Sequence, residues 1–204
     1  MEKSYSSNEA NIAGWLLGGT AAGLTVSFIF WYLDDPQQFI EHRLGINAEA
    51  FQNITPWLLA FMIIIGYVFY TVKAVPFVQE HFFVFSGLKM IGIWSAFVLS
   101  TMEEIVFRQM FMDWLQHLNQ SLFLQILGSA ILFGVAHGAW VLLRREMKIA
   151  LPVIVSTTVL GGLLAILYIA AGRNLLAPIV THIAINVFIE PWLILSSITG
   201  KWKE

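Results

Sequence analysis

Two adjacent glutamates and an arginine interrupt an otherwise apolar run. They are Glu103, Glu104 and Arg108 in STMEEIVFR, with LKMIGIWSAFVL before them and QMFMDWL after. A charged side chain at a bilayer centre costs about 2.5–3.5 kcal/mol on insertion scales, so three unpaired ones would cost about 8–10 kcal/mol. Residues four apart share a helix face, and a glutamate preceding a basic residue is the favoured order. Glu104 and Arg108 therefore read as a self-neutralising pair. Glu103 lies about 100° further around the helix and lacks that partner. A carboxylate so placed is available as a general base.

Two further stretches carry chemistry-bearing side chains on apolar backgrounds. LFGVAHGAW holds His137, with Phe133 one turn earlier and Gly134 and Gly138 beside it; the small residues would let another backbone approach closely. THIAINVFIEP places His182, Asn186 and Glu190 at four-residue intervals, a polar stripe that has to face the bundle interior or water. Glu190 is its weakest member, sitting next to Pro191 near the segment end. Each stretch alone is equally well read as interhelical hydrogen bonding. Together, Glu103, His137, His182 and Asn186 supply a carboxylate, two imidazoles and an amide from three segments. Such groups suit activation of a water and stabilisation of an oxyanion, hence hydrolysis of an amide or ester in a water-accessible membrane cavity.

Glu41-His42, Glu80-His81 and His117 fall in connecting segments and read as solvated loop residues. The chain has no cysteine, which removes thiolate chemistry and disulfides. No H-E-x-x-H or G-x-S-x-G occurs, so the zincin helix and the nucleophile elbow are excluded.

The elements that position these residues are apolar segments at about 12–33, 56–72, 88–112, 122–143, 149–171 and 175–198, each expected to span the roughly 30 Å of hydrocarbon. Pro56 suits the first turn of the second. The first is too long for a signal-peptide core and is expected to be retained. Of the 204 residues 58% are hydrophobic and only 12% charged, and mean hydropathy is +0.74. Soluble domains carry about 25% charged residues. The reading is one all-α integral membrane domain over 1–204, a polytopic bundle of about six helices. A net charge of −2 offers nothing for nucleic acid. Trp15, Trp31, Trp57, Trp114, Trp140, Trp192 and Trp202 mostly fall near segment ends, as an interfacial belt does. Lys3, Lys73, Lys89, Arg144, Arg145, Lys148, Lys201 and Lys203 share one side of a six-helix count, against Arg43 and Arg173, which puts both termini in the cytoplasm.

E-E-x-x-x-R at Glu103, Glu104 and Arg108, F-x-x-x-H at Phe133 and His137, and H-x-x-x-N at His182 and Asn186 occur in that order. In this the chain resembles the intramembrane CAAX-protease and bacteriocin-processing family, which covers prenyl-protein endopeptidases and bacterial Abi-type proteins. The resemblance spans about 100 to 190. It implies a glutamate-dependent intramembrane endopeptidase acting on a membrane-associated protein or peptide, expected in a bacterial cell membrane. It further implies that Glu103 and His137 activate the water, and that His182 and Asn186 hold the oxyanion. Glu104, Arg108 and Phe133 are then supporting residues.

Two other functions fit the same residues: a non-catalytic immunity or scaffold protein that retains the buried polar network, and a small transporter with a proton relay, which the lack of an inverted repeat disfavours. Glu103, His137 and His182 also compose a two-histidine, one-carboxylate zinc set. No H-x-x-x-H places two ligands in advance, so the expectation is a mechanism without metal. Counting from segment ends separates Glu103 and His137 by up to roughly 10 Å in depth.

Overall fold

The computed structural model describes residues 5–138 and 147–202, with 147–149 described by backbone alone. Among them there is no strand, and each predicted segment appears as a helix. α1 (Ser7–Asp34) opens on a capping box in which Ser6 Oγ accepts from the Glu9 amide and the Glu9 carboxylate accepts from the Ser6 amide. α2 (Thr55–Ala74) has Pro56 in its first turn, where a missing N–H costs nothing. α3 (Gly87–Glu104) is N-capped by Ser86 and continues through a wide π stretch, Ile105–Met112, into a final turn, Asp113–His117. α4 (Leu122–His137), α5 (Met147–Ala170) and α6 (Leu176–Thr199) follow, and α6 ends on Gly200 at φ 79°, the left-handed cap that glycine adopts without strain.

By length and composition, five of these helices can cross a membrane: α1, α2, α3 with its extension to His117, α5 and α6. α4 has 16 residues, about 24 Å of helix and short of the roughly 30 Å of hydrocarbon. The end of the predicted fourth segment, 139–143, lies outside the described residues. So do Lys3, Arg144, Arg145 and Lys203 and the side chain of Lys148, all used in the orientation count. The protein is an all-α, polytopic integral membrane protein. Its outward faces are correspondingly apolar, with Trp15, Ile29 and Phe30 of α1 and Phe61, Met62 and Phe69 of α2 turned to where acyl chains lie.

α6 is the central helix: α1, α2, α3, α5 and the short helix Pro76–His81 all pack on it. That position explains three departures from expectation. Trp192 is fully buried rather than interfacial, because its side of α6 is covered. His81 is buried rather than solvated, its ring stacked 4.3 Å from Phe77 and tilted 5.5 Å from Trp192. Lys89, counted among the cations of the cytoplasmic side, is buried, and its ammonium donates to the Val187 and Phe188 carbonyls at 2.5 and 3.2 Å. The last contact has a covalent origin. Pro191 has no N–H, so the carbonyl four residues earlier loses its helical partner. Lys89 replaces it. At Gly92 of α3 a Cβ would stand 2.1 Å from Pro191 Cγ, so only glycine admits the proline ring.

α4 and α5 meet as closely. A Cβ on Gly134 would fall 1.9 Å from Thr158 Oγ1 and 2.8 Å from the Ile154 carbonyl. The predicted close approach beside His137 is thus made by α5.

Candidate active site

Glu103 and Glu104 occupy the last α-helical turn of α3, immediately before the π stretch, a distortion that recurs at functional sites. The four-residue spacing brings Glu104 Oε2 to 3.1 Å from Arg108 Nε, and neither side chain is exposed. Arg108 also donates from Nη2 to the Gly161 carbonyl of α5 at 3.1 Å, with its guanidinium 4.7 Å from the centre of the Phe133 ring. A buried ion pair of this kind gains little overall, but removing one partner strands the other charge.

α6 and α4 bring the imidazoles. His182 Nδ1 is 2.7 Å from Glu104 Oε1. A carboxylate paired with arginine only accepts, so Nδ1 carries the proton and donates it. The Nε2 of the same ring lies 3.5 Å from Glu103 Oε2. His137, in the last turn of α4, is 2.9 Å through Nδ1 from the Phe133 carbonyl and 3.9 Å through Nε2 from the same Glu103 oxygen. A carbonyl also only accepts, so here too Nδ1 donates and Nε2 faces the carboxylate. Phe133 is fully buried, with its ring centre 4.4 Å from that of His137 and edge-on to His182 at 5.6 Å. It is the apolar spacer that fixes both rings. Asn186 donates from Nδ2 to Ser100 Oγ at 3.1 Å, leaving its second amide hydrogen for another acceptor.

The structure thus brings Glu103, His137 and His182 together and places Asn186 in the same cavity. The depth gap anticipated between Glu103 and His137 is absent. α3 and its extension run from Gly87 to His117, longer than the 88–112 segment read from sequence, so Glu103 sits at mid-helix instead of in an outer half.

Glu103 Oε2 is shielded and has no hydrogen-bond partner in a protein atom. It faces a cavity of about 110 Å³, room for several waters, lined also by Tyr67 of α2, Thr157 of α5 and Glu190 of α6. Ser100, Tyr67 and Thr157 were not legible as site residues, since a lone hydroxyl in an apolar helix carries no periodic signal. Glu190 was legible as the third member of its stripe. Among the described residues no three histidine, cysteine, aspartate or glutamate side chains are grouped to hold a metal ion.

Searches among curated proteins and among solved structures found no match. A family model, type II CAAX prenyl endopeptidase Rce1-like, matches residues 85–188. The match takes in about half of the chain, and Ser100, Glu103, Glu104, Arg108, Phe133, His137, His182 and Asn186 all fall within it, whereas Glu190 does not. The chain therefore belongs to the Rce1-like family of type II CAAX prenyl endopeptidases.

Proposed function

We propose that the protein is an intramembrane endopeptidase that hydrolyses a peptide bond of a membrane-associated protein or peptide, without metal. The observation that carries this reading is the position of Glu103 Oε2: unpartnered, beside a cavity with room for water, and faced by the Nε2 atoms of two histidines from separate helices.

In this mechanism a water held at Glu103 gives one proton to the carboxylate as its oxygen attacks the carbonyl carbon. The C=O π electrons move onto oxygen. Asn186 donates its free amide hydrogen to that oxyanion, and Ser100 fixes the direction of the amide. His182 contributes a donor there when Nε2 is protonated, with Nδ1–H held on Glu104. Collapse of the tetrahedral intermediate breaks the C–N bond, and the departing nitrogen takes the proton that Glu103 received, directly or through His137 Nε2. Placing donors in advance where charge develops is worth about 3–4 kcal/mol per donor in enzymes that stabilise oxyanions this way.

A purely structural network would be expected to satisfy every buried polar atom, because an unpaired one costs about 1–3 kcal/mol. Within the Glu103, Glu104 and Arg108 set, Glu104 Oε2 and Arg108 Nε answer each other as an ion pair, whereas Glu103 Oε2 is unsatisfied and lines the cavity with room for water. That favours chemistry over an immunity or scaffold role. The test is quantitative proteomics of membrane fractions from cells carrying the wild type or Glu103→Gln. Precursors that accumulate, with their new termini lost, identify the substrates. Identical termini in both strains would remove the endopeptidase reading.

A further inference from the structure

Glu190 takes no part in the mechanism above and lies two residues beyond the family match, yet it lines the same cavity as Glu103 and His182. Its Oε2 is shielded and without a hydrogen-bond partner. Among the described lining residues there is no lysine or arginine to neutralise it. A buried carboxylate without a partner is costly, so one facing a binding cavity is completed by whatever enters.

The geometry gives it an address. His182, Asn186 and Glu190 recur every four residues on α6, which puts Glu190 about 12 Å along the helix from His182. The cavity continues to Ser197 and Trp202, so it extends about 22 Å along the same helix from His182. A peptide running extended beside α6 advances about 3.3–3.6 Å per residue, and so reaches Glu190 three or four residues from the bond being cut. Leu99 and Ile189 make the intervening wall apolar. Tyr67 and Trp202 add aromatic rings, whose faces attract cations.

We infer that Glu190 is a specificity residue that receives a cationic side chain, lysine or arginine, of a hydrophobic peptide substrate three or four residues from the scissile bond. The inference rests on the endopeptidase reading for the word scissile, but the binding site it assigns stands apart from the chemistry. A peptide with a glutamate at that distance is disfavoured at the same place.

The test uses the full chain in lipid nanodiscs and leucine- and alanine-rich peptides that differ at one position, which carries lysine, norleucine or glutamate. The position is scanned over four residues on each side of the peptide centre. Binding is measured on Glu103→Gln protein, which binds without cutting, and cleavage on the wild type. The expected result is at least about tenfold tighter binding of lysine than norleucine at one register. Glu190→Gln in the same background should reduce that ratio to near unity while norleucine binding is unchanged, and Glu190→Lys should shift the preference to glutamate. Equal binding of lysine and norleucine at every register, or a lysine preference that survives Glu190→Gln, overturns the inference. Cleavage by the wild type with no lysine preference sinks it alone and leaves the endopeptidase standing. A lysine preference that depends on Glu190, with no cleavage by the wild type, upholds the binding site and sinks the endopeptidase.

Discussion

Glu104 Oε1 stands 2.7 Å from His182 Nδ1, so a glutamate on α3 orients the imidazole that α6 brings to the cavity. The other oxygen of Glu104 is on Arg108. One carboxylate therefore serves both the fold and the site, and substitutions along this chain of contacts should separate the two effects.

Glu104→Gln and Arg108→Met should each destabilise the protein by about 3–5 kcal/mol, because each leaves a buried charge or donor unpaired. The double variant should recover much of that loss, with a coupling above about 1 kcal/mol. Activity should not recover with it, since His182 no longer has a carboxylate at Nδ1. Thermal unfolding in detergent beside turnover per folded molecule measures both. Full recovery of turnover in the double variant would reduce Glu104 to a structural partner.

Glu103→Gln nearly conserves volume, and Glu103 Oε2 makes no hydrogen bond that the change would remove, His182 Nε2 standing 3.5 Å away. Expression and thermal stability should stay close to wild type while turnover falls by at least about 100-fold, the lower range of general-base contributions. A variant as unstable as Arg108→Met, with normal turnover per folded molecule, would reverse these two roles.

Removal of metal offers a separate check on mechanism. Turnover should survive exhaustive chelation, and elemental analysis of the purified protein should find well under one zinc per chain. One zinc per chain, with activity lost on its removal and regained on its return, would make Glu103, His137 and His182 ligands and replace the mechanism proposed above.

Lys89→Met keeps most of the side-chain length but withdraws the donor from the Val187 carbonyl that Pro191 leaves unpaired. The expected loss is about 1–3 kcal/mol, the cost of an unsatisfied buried acceptor. Lys89→Arg should keep more of the stability. Chemical unfolding of the two variants, compared with wild type, decides whether the lysine or the proline carries this part of α6.

The absence of cysteine allows topology to be read without background labelling. Ser7→Cys should react with an impermeant maleimide from the cytoplasmic side and Leu118→Cys from the opposite side, since α1, α2 and α3 separate the two positions. Both reacting from one side would break the six-segment arrangement.

Contacts within a single helix were legible in the sequence because the period of the α-helix alone dictates them. Four-residue spacing put Arg108 beside Glu104 and aligned His182, Asn186 and Glu190 along one face of α6. The apolar runs, with so few charges to interrupt them, likewise left no soluble fold open. What joins one helix to another was decided only by tertiary packing. The separation of Glu103 from His137 depends on where α3 ends, which its continuous apolar pattern does not mark. The contact of His182 with Glu104 depends on how closely α3 and α6 approach, which Pro191, seated over Gly92, and Lys89 on the freed carbonyl help to fix. Neither feature lies near the glutamates in sequence, and a helical period cannot carry information from one axis to the next.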